Sequence, residues 1–203
     1  MSLDTAAVRP DAIAEQLRAS ILAQHDSPGS TITESAVAVR FGVARPTARL
    51  AIERLVTEGI LRREAHQAAR VPVLGADDIA DLYESRAIIE SAAVGRLRSV
   101  PAAALDAHRA GDSAANDIAF HRALVAGQPS PRLARMHELL LGEIELCIGQ
   151  VHAENLLPAG DVTAQHQGIL NAITAGDSAA AARLTREHIE VARDALLERI
   201  TRG

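Results

Sequence analysis

From about residue 77 to residue 201, apolar residues recur at helical spacing, and only five short breaks interrupt them: "SVP", "AGDS", "GQPSP", "NLLPAG" and a second "AGDS". No alternating run long enough for a buried strand lies between them. Clusters of Pro, Gly, Asp and Ser stop helices, so helices are expected near 77–98, 102–109, 113–127, 130–154, 159–175 and 178–201. Helices joined by connections this short pack as antiparallel neighbours. The core must come from Ala, Leu, Ile and Val, because aromatics make up only 1% of the chain, as Phe41, Tyr83 and Phe120. Ala and Leu favour helix. "AGDSAA" begins at Ala110 and again at Ala175, and its Asp or Ser suits the cap of a following helix.

The first third has a different rhythm. "DAIAEQLRASILAQ" carries apolar residues at 13, 14, 17, 21 and 22, an amphipathic helix with Asp11 as its expected N-cap. "HDSPGS" is a turn. "TESAVAVRFG" reads as a short helix capped by Thr33 and stopped by Gly42. "VARPTARLAIERLVTEGI" is a third helix, with Pro46 in its first turn and a buried stripe of Ala48, Ala51, Ile52, Leu55 and Val56. Residues 60–63 and 70–73 are then expected to pair as a hairpin across "EAHQA". "LGADD" is the linker, with Asp77 or Asp78 capping the next helix. The expected fold is mainly α: a winged helix-turn-helix of three helices and a small β-hairpin over 1–74, then an all-α antiparallel bundle over 75–203.

All 21 basic residues are arginine, and the net charge is −5. Yet residues 40–70 hold 7 Arg against 3 Glu, a basic patch on an acidic chain. Such a patch suits a polyanion bound at one place. Cys147 is the single cysteine, which excludes a disulfide within the chain, suits a reducing, cytoplasmic compartment and reads as a small buried hydrophobe. No apolar run approaches the ~20 residues of a membrane span.

In a helix-turn-helix the third helix enters the major groove N-terminus first. Arg45 and Arg49 lie one turn apart at that end and can bond guanine edges or phosphates, with Thr47 and Ser35 as smaller phosphate contacts. A three-helix bundle with solvated arginines would carry the same spacing. The stretch "SPGSTITESAVAVRFGVARPTARLAIERLVTEGIL" resembles the DNA-binding domain of the GntR family of bacterial transcription regulators. The resemblance implies operator contacts from Arg45 and Arg49. Two departures stand out. Ala44-Arg45-Pro46-Thr47 replaces the family's usual Ser-Arg-Thr-Pro, and the wing tip "AHQAA" lacks the usual glycine, leaving Gln67 or Arg70 to make the wing's contact.

Among eight histidines, three lie on helix stripes that can face a bundle interior: His121, four residues after Asp117; His166, before Ile169 and Ile173; and His188, beside Leu184 and Ile189. An exposed ion pair is the simpler reading of Asp117 and His121. Converging, the four residues would suit Zn²⁺ and also accept Ni²⁺, Mn²⁺ or Fe²⁺. The segments "DLYESRAIIESAAV", "DIAFHRALV", "PRLARMHELL" and "QHQGILNAITAGDSAAAARLTREHI" resemble the FCD ligand-binding domain of FadR-subfamily GntR regulators. That resemblance implies a divalent ion on Asp117, His121, His166 and His188, and an acidic ligand met by Arg86. A salt bridge to Glu90, one turn on, is the structural alternative for Arg86. His137 or His152 can line the pocket, His25 and His66 fall in turns, and the segment 98–117 is shorter than family members carry.

The expected function is an effector-responsive transcription regulator, usually a repressor in this family. A homodimer would bind palindromic operator DNA, and a small organic acid would control it. A metal-dependent enzyme is the alternative, against which no H-E-x-x-H arrangement supplies a ready base. A purely structural ion is another.

Overall fold

The computed structural model describes residues 9–202; residues 1–8, which open the first expected domain, and Gly203 lie outside the described residues. The chain divides into two compact units, Met1–Val73 and Leu74–Gly203.

The first unit contains α1 (Pro10–Leu22), β1 (Thr31–Ile32), α2 (Glu34–Phe41), α3 (Arg45–Thr57) and β2 (Ala69–Arg70). Thr33 caps α2 by accepting from the Ala36 N–H at 3.1 Å, and Gly42 ends it in the left-handed region at φ 64°. Asp11 is not the cap of α1. Pro10 already opens that helix, so Asp11 sits in the first turn behind Arg9. The three helices close over Ile13, Leu17, Ile21, Ala48, Ile52 and Leu55, all buried.

The expected hairpin is reduced to one bridge, in which Arg62 and Arg70 exchange backbone bonds of 2.9 and 2.8 Å. Ile60 and Leu61 are buried, and the Leu61 N–H is taken by Leu55 O at the end of α3, so neither extends a ladder. β2 instead pairs antiparallel with β1, Thr31 opposite Arg70 and Ile32 opposite Ala69. At the glycine-free wing tip, His66 adopts φ 63°. The left-handed region is strained for most side chains.

The second unit is helical: α4 (Ala76–Val94), α5 (Ala102–Arg109), α6 (Ala114–Ala126), α7 (Pro131–Ala153), α8 (Ala159–Thr174) and α9 (Ser178–Arg202). Neither Asp77 nor Asp78 is the N-cap of α4. Gly75 takes that place, and Asp78 reaches back to accept its N–H at 2.9 Å. α4 stops at Val94 rather than near 98, because Gly95 opens the turn against the start of α9, where an added Cβ would meet Ser178 O and Ala182 at 3.5 and 3.4 Å. The two "AGDS" breaks use different caps. Ser113 accepts from Asn116 N, whereas Asp177 accepts from Ala180 N. α4 packs against α7 and α9, α6 against α5 and α7, and α8 against α9. Phe120, Leu124, Ile169, Leu170, Ile173 and Ala181 form one buried cluster below the polar site. Among the described residues, no helix is long and apolar enough to cross a membrane.

Candidate functional site

α6, α8 and α9 bring four side chains to one point. Asp117, His121, His166 and His188 each offer a donor atom, and these atoms lie within 4.8 Å of one another. The i to i+4 spacing stacks Asp117 over His121, with Oδ1 3.2 Å from Nε2. His121 Nε2 lies 3.1 Å from His188 Nε2, which lies 3.3 Å from His166 Nε2. His166 Nε2 lies 3.5 Å from Asp117 Oδ1. Tetrahedral donors about 2.0–2.1 Å from a Zn²⁺ would stand about 3.3 Å apart. Phe120 stacks on His166 with ring centroids 4.0 Å apart and closes the apolar side.

The surrounding bonds set which nitrogens face inward. His121 Nδ1 lies 2.7 Å from Glu90 Oε2. An ionised carboxylate only accepts, so Nδ1 carries the proton. His188 Nδ1 likewise bonds Gln165 Oε1 at 2.7 Å. Both Nε2 atoms are thereby turned toward the shared point. A single proton can satisfy only one of the two N···N contacts, whereas a cation satisfies both. Asp117 Oδ1, buried, accepts no hydrogen bond, while Oδ2 is held by His152 Nε2 at 3.0 Å. The donor set therefore fits a divalent ion.

Glu90 is the hub behind the cluster. Its Oε1 accepts from Arg86 Nε at 2.7 Å and lies 3.2 Å from His137 Nε2. Burial opposes its charge, but Arg86 and His121 outweigh that and hold its carboxyl well below the usual range. Asp117 behaves alike: burial is outweighed by His121 and His152. Burial, reinforced by the charge of His121, lowers His166 to about 3 and puts His188 well below the ordinary value. Burial also opposes a proton on His121, yet Glu90 prevails and its pKa is raised. Cys147 is buried, and burial pushes its thiol up to about 12, so it is an inert core residue.

In the first unit, a groove of about 290 Å³ runs between the N-termini of α2 and α3 and the wing, lined by Thr33, Ser35, Arg45, Arg63 and Gln67 among others. Arg45 and Ser35 are exposed there, while Thr47 is half-buried on α3. Arg49 is exposed one turn further and bonds Glu53 at 2.7 Å. Arg70 is exposed on β2, its guanidinium 3.5 Å from Gly29 O.

Residues 10–71 match the family of bacterial regulatory proteins called gntR, and residues 81–191 match the FCD domain. The chain belongs to the GntR family of transcriptional regulators and carries an FCD domain. It is 26% identical over 196 residues to a protein of Paenarthrobacter nicotinovorans named "Probable D-xylose utilization operon transcriptional repressor", covering 87% of this chain and 85% of that one. It is 41% identical over 70 residues to the Nta operon transcriptional regulator of Aminobacter aminovorans, a match that spans only 33% of that relative. A crystal structure assigned to the GntR regulators from Rhodococcus sp. RHA1 has the same fold, with a TM-score of 0.77, 24% identity and coverage of 93% of this chain and 97% of that one. E. coli McbR/YncC follows at 0.64 and 20% identity, covering 92% and 95%.

For this GntR regulator the sequence singled out the four clustered side chains, and the structure brings them together. The salt-bridge alternative for Arg86 is also formed, wholly buried. The bond from Glu90 to His121, Gln165 and the bond from His152 to Asp117 were not singled out, nor was Arg63 in the groove. Nothing local marks them, since Glu90 lies 31 residues from His121 in the chain.

Two consequences can be measured. Glu90→Gln is expected to weaken binding of a divalent ion about 10- to 100-fold, the usual effect of removing a carboxylate behind a histidine ligand. Competition with a chromophoric chelator on the folded variant reads this directly, and unchanged affinity would exclude Glu90 from any role behind the ion. Ion binding is also expected to release a proton from His121. Its folded pKa is raised above 6.5, so the ion-free protein holds that proton at pH 6.5 and loses it as pH rises through the raised value. Affinity should therefore climb with pH across that range. His166 and His188 are already neutral and should release none. Calorimetry at pH 6.5 in buffers of different ionisation enthalpy gives the proton count.

Proposed function

We propose that this regulator senses a small carboxylate at a divalent ion held by Asp117, His121, His166 and His188, and that the bound acid alters its grip on operator DNA. The observation that carries this reading is the set of three imidazole Nε2 atoms and one bare carboxylate oxygen turned toward a single buried point. Three neutral imidazoles and a carboxylate favour Zn²⁺, with Ni²⁺, Mn²⁺ or Fe²⁺ accepted by the same donors. Such an ion supplies an open coordination position for a carboxylate oxygen, and Arg86 is the nearby guanidinium to offset the acid's charge.

Residues 1–74 form the DNA-reading domain and residues 75–203 the sensing domain. Two chains bind a palindromic operator as a homodimer, in the cytoplasm, with repression as the outcome named for the Paenarthrobacter relative. Arg45 and Arg49 read bases or phosphates, and Thr47, Ser35 and Arg70 hold the backbone. The acid can shift operator binding only through unequal affinity for the DNA-competent and DNA-incompetent arrangements.

Elemental analysis of the purified chain tests the central part. One divalent ion per chain is expected, and its removal by a chelator should lower the melting temperature. Protein saturated with zinc that retains none after dialysis would defeat the reading. An ion that raises stability while no small acid ever binds would leave it a purely structural centre.

A further inference from the structure

At about 3.6 residues per turn, the line of α3 opposite its buried stripe of Ala48, Ala51, Ile52 and Leu55 runs through Pro46, Leu50, Glu53 and Thr57. The outward line of a surface helix is ordinarily polar. Here Glu53 and Thr57 are polar, but Pro46 and Leu50 are not. Leu50 is 55% exposed, and Pro46 is exposed one turn before it. Pro46 has a structural reason, since proline suits the first turn of a helix. Leu50 has none, being turned away from the core it could have joined.

A scattered exposed leucine needs no explanation by itself. The surroundings of Leu50 supply one. Arg45 directly precedes Pro46, Arg49 directly precedes Leu50, and both arginines are exposed. Arg54, further along α3, is held within its own unit by Glu58, Asp11 and Glu15 at 2.8, 3.0 and 3.0 Å. Glu53, next on the outward line, is a carboxylate and disfavours approach of phosphates. DNA contact by α3 is thereby confined to its first two turns, and the apolar pair sits there with the two arginines.

The chemistry of the pair restricts what it can read. Neither side chain has a hydrogen-bond donor or acceptor, so neither can recognise the polar edge of guanine, adenine or cytosine. Thymine presents an apolar group in the major groove, its C5-methyl. Consecutive Cα atoms are about 3.8 Å apart and consecutive base steps about 3.4 Å, so a base next to one met by Arg49 lies within reach of Leu50.

We propose that Leu50, with Pro46 beside it, reads the C5-methyl of a thymine within about two base pairs of a guanine met by Arg45 or Arg49. Leu50 is then a specificity-determining residue of the operator interface. The inference rests on the reading that places α3 in the major groove, and adds a base preference that the arginines do not give.

The full chain is first used to select its binding site from a pool of random duplexes, and thymine should recur beside guanine. Each thymine of the selected duplex is then replaced singly by uracil, which pairs alike but lacks the methyl. One replacement should weaken the parent roughly fourfold, the worth of one methyl taken out of water. Leu50→Ala should bind the thymine and uracil duplexes equally, with the parent's melting temperature. Leu50→Met, which keeps an apolar side chain of similar reach, should retain the preference. A selected site without thymine beside guanine, a parent indifferent to every uracil, or a Leu50→Ala variant that still discriminates each overturns the proposal. Equal weakening of Leu50→Ala on both duplexes, relative to a parent that does not discriminate, would assign Leu50 to contact with a second copy of the chain and overturn it too. If the chain selects no duplex at all, the DNA-reading role of α3 falls together with this inference. A selected site that ignores the methyl brings down this inference alone.

Discussion

His188→Ala is expected to weaken zinc binding by roughly 10²-fold or more. Binding free energies of about 10–16 kcal/mol for four-ligand zinc sites correspond to about 3 kcal/mol per ligand. His188 is the apt target because its Nε2 faces both His121 and His166, at 3.1 and 3.3 Å. Its removal opens the site on two sides at once. The parent should gain about 2.7 kcal/mol of stability at zinc a hundredfold above its dissociation constant. At the same zinc concentration the variant should gain far less. His108→Ala is a suitable comparison, since His108 bonds Gln167 outside the cluster and its removal should leave zinc affinity unchanged. Equal thermal shifts for parent and His188→Ala would show that zinc binds elsewhere.

The second large effect lies in the first unit. Arg45→Ala combined with Arg49→Ala is expected to reduce operator affinity roughly 10²- to 10⁴-fold, taking about 1–3 kcal/mol for each specific arginine contact. If either arginine grips phosphate, the slope of affinity against salt should also flatten by about one for each phosphate no longer neutralised. Both side chains are exposed at the start of α3, so the variant should keep its fold, which circular dichroism can verify. Arg49 must exchange its bond to Glu53 for DNA, a modest penalty for a surface pair. Gel-shift titration on the intergenic DNA upstream of the gene gives the affinity. Undiminished binding would remove α3 as the reading element.

Much of this was legible because its signals are local. Helical period, Pro at helix starts and Gly, Ser or Thr at helix ends fix elements within a few residues, as at Thr33, Gly42 and Ser113. The Asp117–His121 pair is equally local, being one helical turn. What local signals do not carry is the meeting of α6 with α8 and α9. His166 and His188 stood out on core-facing helix stripes, but only the family resemblance joined them to Asp117 and His121 as one ligand set, because their convergence depends on tertiary packing. Glu90 and Gln165 act across the bundle and look like ordinary polar helix residues in sequence. β1 escaped notice because two residues between a turn and a helix cap show no strand period. The wing was misjudged for a related reason. Ile60 and Leu61 read as strand, but burial and the end of α3 claim them first.

The central claim is that the His/Asp cluster of the second unit governs DNA binding by the first. Its most direct test is the operator affinity of the zinc-loaded chain, followed by fluorescence anisotropy, as small carboxylates from acetate to succinate are added. At least one acid should shift the operator dissociation constant by about 5- to 150-fold, the usual range of coupling between two sites. His188→Ala, at the same zinc concentration, should lose that response while still binding DNA. Operator binding that ignores both zinc and acid in the parent, or an identical response in the variant, would contradict the claim.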